Sequence, residues 1–271
     1  MHKGALLGAL REAALEVLSP TRCAGCERPG ALICDDCLYQ LTPIDPLHAC
    51  LRCGAPFGDL LCTECDRAGA TAGQASRVVG ATTPTPLAPG GKVPADPQRA
   101  LGRVLATAVF AEPLPRIIRA YKDGGERRLA PLIAQMLYDT ALHAEETAPG
   151  RYGGILSDAD AVTFVPVTAA AFARRGFDHM EAVARPFAEL AGKPLADALA
   201  KHGRSDQRAL GRAARAESAQ GVYEVVADVR GMRLLVLDDV ITTGATLSAV
   251  AEALAASGAA RVEALALARV W

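Results

Sequence analysis

The chain has 271 residues, of which 51% are hydrophobic, 22% charged and 4% aromatic. That balance excludes disorder, collagen-like repeats and a coiled coil, and suits one ordinary domain with a small satellite. Twenty-nine basic side chains against thirty acidic ones set the net charge at −1, so no global basic field draws nucleic acid.

From the N-terminus, Leu6, Leu7, Leu10, Ala14, Val17 and Leu18 predict an amphipathic helix ending at Pro20. Arg11, Glu12 and Glu16 interrupt this stretch, unlike a signal-peptide core. No apolar run reaches the roughly 18 residues of a membrane span, so a cytoplasmic protein is expected.

All eight cysteines follow as four C-x-x-C pairs: Cys23/Cys26, Cys34/Cys37, Cys50/Cys53 and Cys62/Cys65. Each pair sets two thiolates on one turn, and two pairs complete a tetrahedral zinc site. Eight thiols thus imply two structural Zn2+ ions. A disulfide framework is disfavoured by a reducing cytosol and a large separate core, and four pairs in series read as scaffolding rather than redox chemistry. The spacing leaves the partnering open, between two successive sites and an interleaved arrangement. His48 lies near Cys50 and reads as a bystander.

Between Pro20 and Ala70 there are four arginines against seven acids, a net of −3. Each four-thiolate zinc site adds about −2 more. Phosphate neutralisation dominates nucleic-acid affinity, so direct DNA binding finds no support in this charge. A structural or partner-docking module is expected.

The segment Thr82–Pro97 holds five prolines and two adjacent glycines and reads as a linker or insertion. Ordered pattern resumes with a strand at Arg103–Phe110. Helical spacing follows at Leu114, Ile117, Ile118 and Tyr121, and again at Leu129, Leu132, Ile133, Met136 and Leu137. Ala161–Val167 reads as a buried strand, and Met180, Val183, Ala184, Phe187 and Leu190 as a helix. A strand at Arg233–Asp239, a helix at Thr246–Ser257 and a strand at Arg261–Arg269 complete the chain. The alternation predicts an α/β fold, an open parallel sheet with flanking helices. The organisation expected is residues 1–70 for the N-terminal helix and double metal module, 71–102 for the linker and 103–271 for the sheet domain.

The segment Leu234–Leu247, LLVLDDVITTGATL, carries the chemistry. An apolar strand runs into Asp238 and Asp239, and Thr242, Thr243, Gly244, Ala245 and Thr246 then open a helix. Exposed backbone N–H groups and the helix dipole favour an anion there, Gly244 permits close approach, and the hydroxyls add hydrogen bonds. The carboxylates lie at the strand's C-terminal end, the ligand crevice of such sheets. One phosphate beside two acids describes a ribose 5-phosphate. One cap residue would suffice to start the helix, whereas this stretch is polar or glycine at most positions. No lysine follows the glycine, so it is not a Walker loop.

Leu234–Leu247 resembles the 5-phosphoribosyl 1-pyrophosphate (PRPP) motif of type I phosphoribosyltransferases. The whole chain resembles the ComF family of competence-associated phosphoribosyltransferase-like proteins, which join a cysteine zinc module to that fold. Tyr121–Lys122 with Gly124–Gly125, Val165–Pro166–Val167, Arg174–Arg175–Gly176–Phe177, and Gln207–Arg208 with Leu210, Arg212 and Arg215 match its blocks. Thr168 departs from a usual proline, Asp178–His179 from a usual Asn-Gln and Ser218 from a common asparagine.

The resemblance implies that Thr242, Thr243, Gly244, Ala245 and Thr246 bind the 5-phosphate and that Asp238 and Asp239 contact the ribose hydroxyls. It also implies that Arg174 and Arg175 face pyrophosphate and that Mg2+ is held largely by substrate oxygens and water; Lys122 is a further candidate to bind the cofactor. Two functions follow from it: transfer of phosphoribosyl to an acceptor, or a non-catalytic PRPP sensor for DNA uptake. In the second, the zinc module docks a helicase, another competence protein or single-stranded DNA. The basic stretch Lys201–Arg215 reads as a solvated face, a flap closing on pyrophosphate or a local nucleic-acid patch. His143 and His202 read as surface residues, and His179 as a candidate to line the site.

Overall fold

A computed structural model describes residues 20–58, 60–65, 100–202 and 222–271. The expected N-terminal helix, the proline-rich segment and all of the basic stretch beyond His202 lie outside the described residues.

The sheet domain alternates as the periodicity predicts. It runs β1 (Leu101–Val109), α2 (Leu114–Lys122), α3 (Leu129–Thr147), α4 (Pro149–Tyr152), β2 (Ala161–Phe164), α5 (Ala169–Arg175), α6 (His179–Ala191), β3 (Leu199–Lys201), β4 (Tyr223–Val225), β5 (Arg233–Ile241), α7 (Ala245–Ala256) and β6 (Arg261–Arg269). One short helix, α1 (Asp35–Tyr39), precedes them in the cysteine-rich region. The main sheet has the order β1-β6-β5-β2, every neighbour parallel. β3 and β4 pair antiparallel as a separate ribbon. β5 and β6 lie mid-sheet under helices, so both faces are buried and their sequences are apolar runs rather than alternations.

β2 ends at Phe164, three residues before the apolar run does. Val165 N–H still donates to the Leu237 carbonyl at 3.0 Å, but Pro166 has no N–H to continue the ladder. The chain then enters α5; Thr168 caps it, accepting from Ala171 N at 3.2 Å. The departure at Thr168 therefore supplies a helix cap.

The cysteine-rich region closes one edge of the sheet. Val109 N–H donates to Thr42 O at 2.9 Å, Ile44 N–H to Thr107 O at 3.0 Å and Val104 N–H to Leu51 O at 2.9 Å. An edge strand is otherwise a template for unwanted pairing. Ile33, Ile44, Ala49 and Leu51 belong to the same continuous apolar cluster as the sheet's own core. Arg151 reinforces the join, its Nε donating to Pro46 O at 3.0 Å. Among the described residues no helix is long and apolar enough to cross a membrane.

Candidate functional site

The cysteines gather in two sets of four, Cys23, Cys26, Cys34, Cys37 and Cys50, Cys53, Cys62, Cys65, with the sulfurs of each set within 4.8 Å of one another. The partnering is thus successive, not interleaved. Cys26 and Cys34 Sγ lie 3.6 Å apart, Cys53 and Cys62 Sγ 3.7 Å. A tetrahedron of zinc–sulfur bonds of about 2.3 Å has edges of about 3.8 Å, so both sets fit a four-coordinate soft cation.

The thiols' acidity fits as well. Burial opposes the Cys23 thiolate, but backbone N–H groups of Cys34, Cys26 and Gly25 outweigh it and bring the thiol down to about 6. A hydrogen bond from Cys53 does most to bring Cys50 down to about 4, while burial and the Cys50 charge push Cys65 up to about 12. In the second cluster the Cys50 charge thus adds to burial in holding the Cys65 proton on, a repulsion that a bound dication would relieve.

The second site lies at the C-terminal ends of β5 and β6. Thr242 and Thr243 are exposed, and Gly244 caps α7 with φ +78°, where a side chain would be strained. No side chain caps that helix; Thr243 Oγ1 makes only a long 3.4 Å contact with Ala245 N. Among the described residues the backbone donors at Thr246 and Leu247 are left for an anion.

The two adjacent carboxyls differ in state. Asp238 is buried, and its Oδ1 accepts from Asp239 N at 2.9 Å. Burial, then the Asp239 charge, push its pKa up to about 7. Burial also works against a charged Asp239, but His179 and the Lys122 ammonium outweigh it and hold its carboxyl well below the usual range. Asp239 Oδ2 accepts from Lys122 Nζ and from His179 Nε2, the latter at 2.9 Å. Bonding a carboxylate makes Nε2 the donor and leaves His179 Nδ1 buried with no partner among the described residues.

The helices explain this convergence. Lys122 ends α2, and His179 opens α6 beneath the cap Asp178, which accepts from Met180 N at 2.8 Å and Glu181 N at 3.2 Å. The other Asp178 oxygen accepts from Val167 N at 2.8 Å, tying α6 to the turn after β2. Tyr121 is core, as expected, and its hydroxyl donates to the His179 carbonyl at 2.5 Å.

Arg175 is largely buried, donates to Asp123 Oδ1 at 3.2 Å beside Lys122, and keeps a buried Nε with no partner among the described residues. Arg174 is exposed on the last turn of α5. His143 is exposed, and His202 pairs with Glu224 at 2.6 Å. Lys201, at the start of the basic stretch, sits on β3 with its ammonium 5.1 Å from the Tyr223 ring centre.

The open parallel sheet and its acid–loop crevice define a phosphoribosyltransferase-like domain, and residues 159–270 match the family described as phosphoribosyl transferase domain. The chain is also similar to proteins named for DNA utilization. It is 26% identical over 169 residues to the DNA utilization protein YhgH of Escherichia coli K12, covering 62% of this chain and 72% of that one. The Salmonella typhimurium protein of the same name is 24% identical over the same length.

Among solved structures, the glutamine PRPP amidotransferase of B. subtilis, complexed with ADP and GMP, is 25% identical with a TM-score of 0.33, over 52% of this chain and 25% of that one. The phosphoribosylpyrophosphate synthetase of Mycobacterium smegmatis is 24% identical with a TM-score of 0.27, over 45% and 33%. The chain spans a quarter to a third of the length of these two enzymes.

Proposed function

We propose that this protein binds PRPP with Mg2+ at the crevice between β5, α7 and α6, and that its two cysteine clusters hold structural Zn2+. The observation that carries the reading is the juxtaposition of an uncapped helix start, Gly244–Thr246, with a carboxylate clamped by Lys122 and His179 one strand-end away. Thr242, Thr243, Gly244, Ala245 and Thr246 take the 5-phosphate, and Asp238 and Asp239 accept from the ribose hydroxyls.

Magnitudes decide what else is needed. A helix terminus contributes about 1 kcal/mol to anion binding, whereas micromolar affinity requires about 8 kcal/mol. The pyrophosphate end must therefore supply much of the rest, through Arg174, Arg175 and Lys122. Arg175 Nε is a donor already desolvated and still unpaired among the described residues. Lys122 and His179 both occupy the Asp239 carboxylate that a metal would otherwise contact, which fits a hard cation kept on substrate oxygens and water. Bound there, Mg2+ neutralises pyrophosphate charge.

In a transfer, the bond from the sugar's anomeric carbon to pyrophosphate oxygen breaks with its electron pair leaving on pyrophosphate, and an acceptor's lone pair forms the new bond. The chain's part is to fix the sugar and stabilise the leaving charge.

The metal module is the docking half. Tyr39 is 90% exposed and Phe57 82%, and the surrounding acidic balance favours a basic protein partner over nucleic acid. With homologues named for DNA utilization, a cytoplasmic DNA-uptake helicase or another competence protein is the partner this reading selects. Incubation with PRPP, Mg2+ and a panel of bases, amines and DNA, with pyrophosphate release as the readout, separates transferase from sensor. Release that depends on an acceptor marks a transferase; binding without release marks a sensor.

A further inference from the structure

The central strand ends in a cation that the PRPP reading leaves without a role. Arg269, the last residue of β6, is only 6% exposed. A buried guanidinium is costly unless paired and fully hydrogen-bonded. Its Nε donates to the Cys53 carbonyl at 2.9 Å, and its Nη1 to the Thr242 carbonyl at 2.6 Å, more distantly to that of Ile241, and to that of Val270. Every one of these acceptors is a neutral carbonyl. The carboxylate on the same strand, Glu263, is engaged elsewhere, by Arg103 and Arg261.

Cys53 belongs to the second cysteine cluster, and Thr242 opens the anion loop. The guanidinium therefore bridges the two. Four thiolates around one dication carry a net charge of about −2, which is the counter-charge the buried guanidinium lacks. A cavity of about 370 Å³, lined by Cys53 and Cys65 on one side and Thr243, Gly244 and Leu247 on the other, lies beside this bridge. Among the described residues the loop's flank is thus loosely packed there, and directed hydrogen bonds matter more to its position.

We propose that Arg269 is a positioning residue that locks the anion loop to the metal-loaded second cluster, so that metal occupancy of that cluster and PRPP affinity are coupled. The inference rests on the PRPP reading of the loop. The loaded cluster neutralises Arg269, and Arg269 holds the Thr242 carbonyl, which orients the N–H groups that follow it. Coupling of this kind is reciprocal: whatever the metal does for PRPP, PRPP does for the metal. Among the described residues no such side-chain bridge joins the first cluster to the loop, which makes it an internal control.

The test follows zinc leaving the full chain into a zinc-selective chromogenic chelator, with Mg2+ throughout and with or without saturating PRPP. In the unmodified protein, PRPP slows loss of one of the two metal equivalents about tenfold and leaves the other unchanged. Arg269→Met abolishes that protection and weakens PRPP binding about tenfold, while Arg269→Lys, keeping the charge, recovers part of both. If the unmodified chain binds PRPP and both equivalents leave at unaltered rates, the proposal is overturned. That comparison needs no variant, so it stands even where Arg269→Met fails to fold. If the unmodified chain binds no PRPP, the loop reading fails instead. The bridge is then judged on metal alone: faster loss of one equivalent from Arg269→Met supports it, and unchanged loss overturns it.

Discussion

The two halves of this molecule are held together by different physics. Residues 20–65 hold little regular structure among the described positions, the five-residue α1 and a helical turn at 63–65, and are organised around two sets of four sulfurs. The sheet domain is organised by burial: β5, β6 and the inner faces of α3, α6 and α7 are nearly continuous apolar surface. A small module with little core of its own needs a metal or a neighbour; this one carries two four-sulfur sets that fit a metal, and its apolar residues join the sheet's core while its backbone pairs with β1.

The sharpest way to break the comparison is to remove the metal. Structural zinc sites contribute on the order of 10 kcal/mol to folding. Chelation, or Cys50→Ser with Cys62→Ser, should abolish amide-exchange protection at Ile44 and expose the outer edge of β1, while far-ultraviolet dichroism from α3, α6 and α7 largely persists. An unchanged exchange pattern in metal-free protein would show that the module is held by packing alone.

A smaller effect is expected at the clamp. Asp239→Ala leaves the Lys122 ammonium and His179 without their shared carboxylate, and stranding a buried charge costs about 3–5 kcal/mol. Lys122 keeps some exposure, so the lower end of that range is expected, read as a fall in the thermal midpoint along with loss of PRPP binding.

Next is Gly244→Ala. Its Cβ meets open space, but its φ of +78° costs an L-residue about 1–2 kcal/mol. The variant should lose up to about tenfold in PRPP affinity, with the fold intact by dichroism. Equal affinity would remove the backbone of this turn from the anion site.

Asp238 supplies a pH dependence. Folded, it keeps its proton up to about pH 7; unfolded, it loses it near the ordinary value of about 3.9. Between those values the folded state binds the extra proton, so stability falls as pH rises through that window. Asp238→Asn should flatten the fall and raise the midpoint more at pH 8 than at pH 5, by about 2–4 °C for each kcal/mol relieved. The smallest change belongs to the module's surface: Arg28→Ala, which breaks an exposed pair with Asp36, should leave the melting curve as it was.

The same contrast explains what could be read from the residues alone. Spacing singled out the eight cysteines, because a C-x-x-C pair is a local geometric device; which pairs join depended on how the chain folds back between Cys37 and Cys50. Periodicity placed β6 at Arg261–Arg269, as found, and the cores of α2, α3 and α6. The acid–threonine loop was legible because strand, turn and helix are adjacent in sequence.

The clamp was only half legible. Lys122 and His179 were each named as candidates, yet nothing local shows that they share one oxygen of Asp239, since 117 and 60 residues separate them from it. Arg269 was hidden further, as a terminal strand residue whose partners belong to two other segments. Such meetings are set by the register of the parallel strands and by the packing of helices over them, which no single stretch of sequence encodes.

The central claim is that the β5–α7 turn and its two carboxyls form a PRPP site. Calorimetric titration of the zinc-loaded chain with PRPP and Mg2+, beside the double variant Asp238→Asn with Asp239→Asn, tests it most directly. The account predicts saturable binding at one site per chain, lost in a variant that remains folded. No heat from the unmodified chain, or equal affinity in the variant, would contradict it.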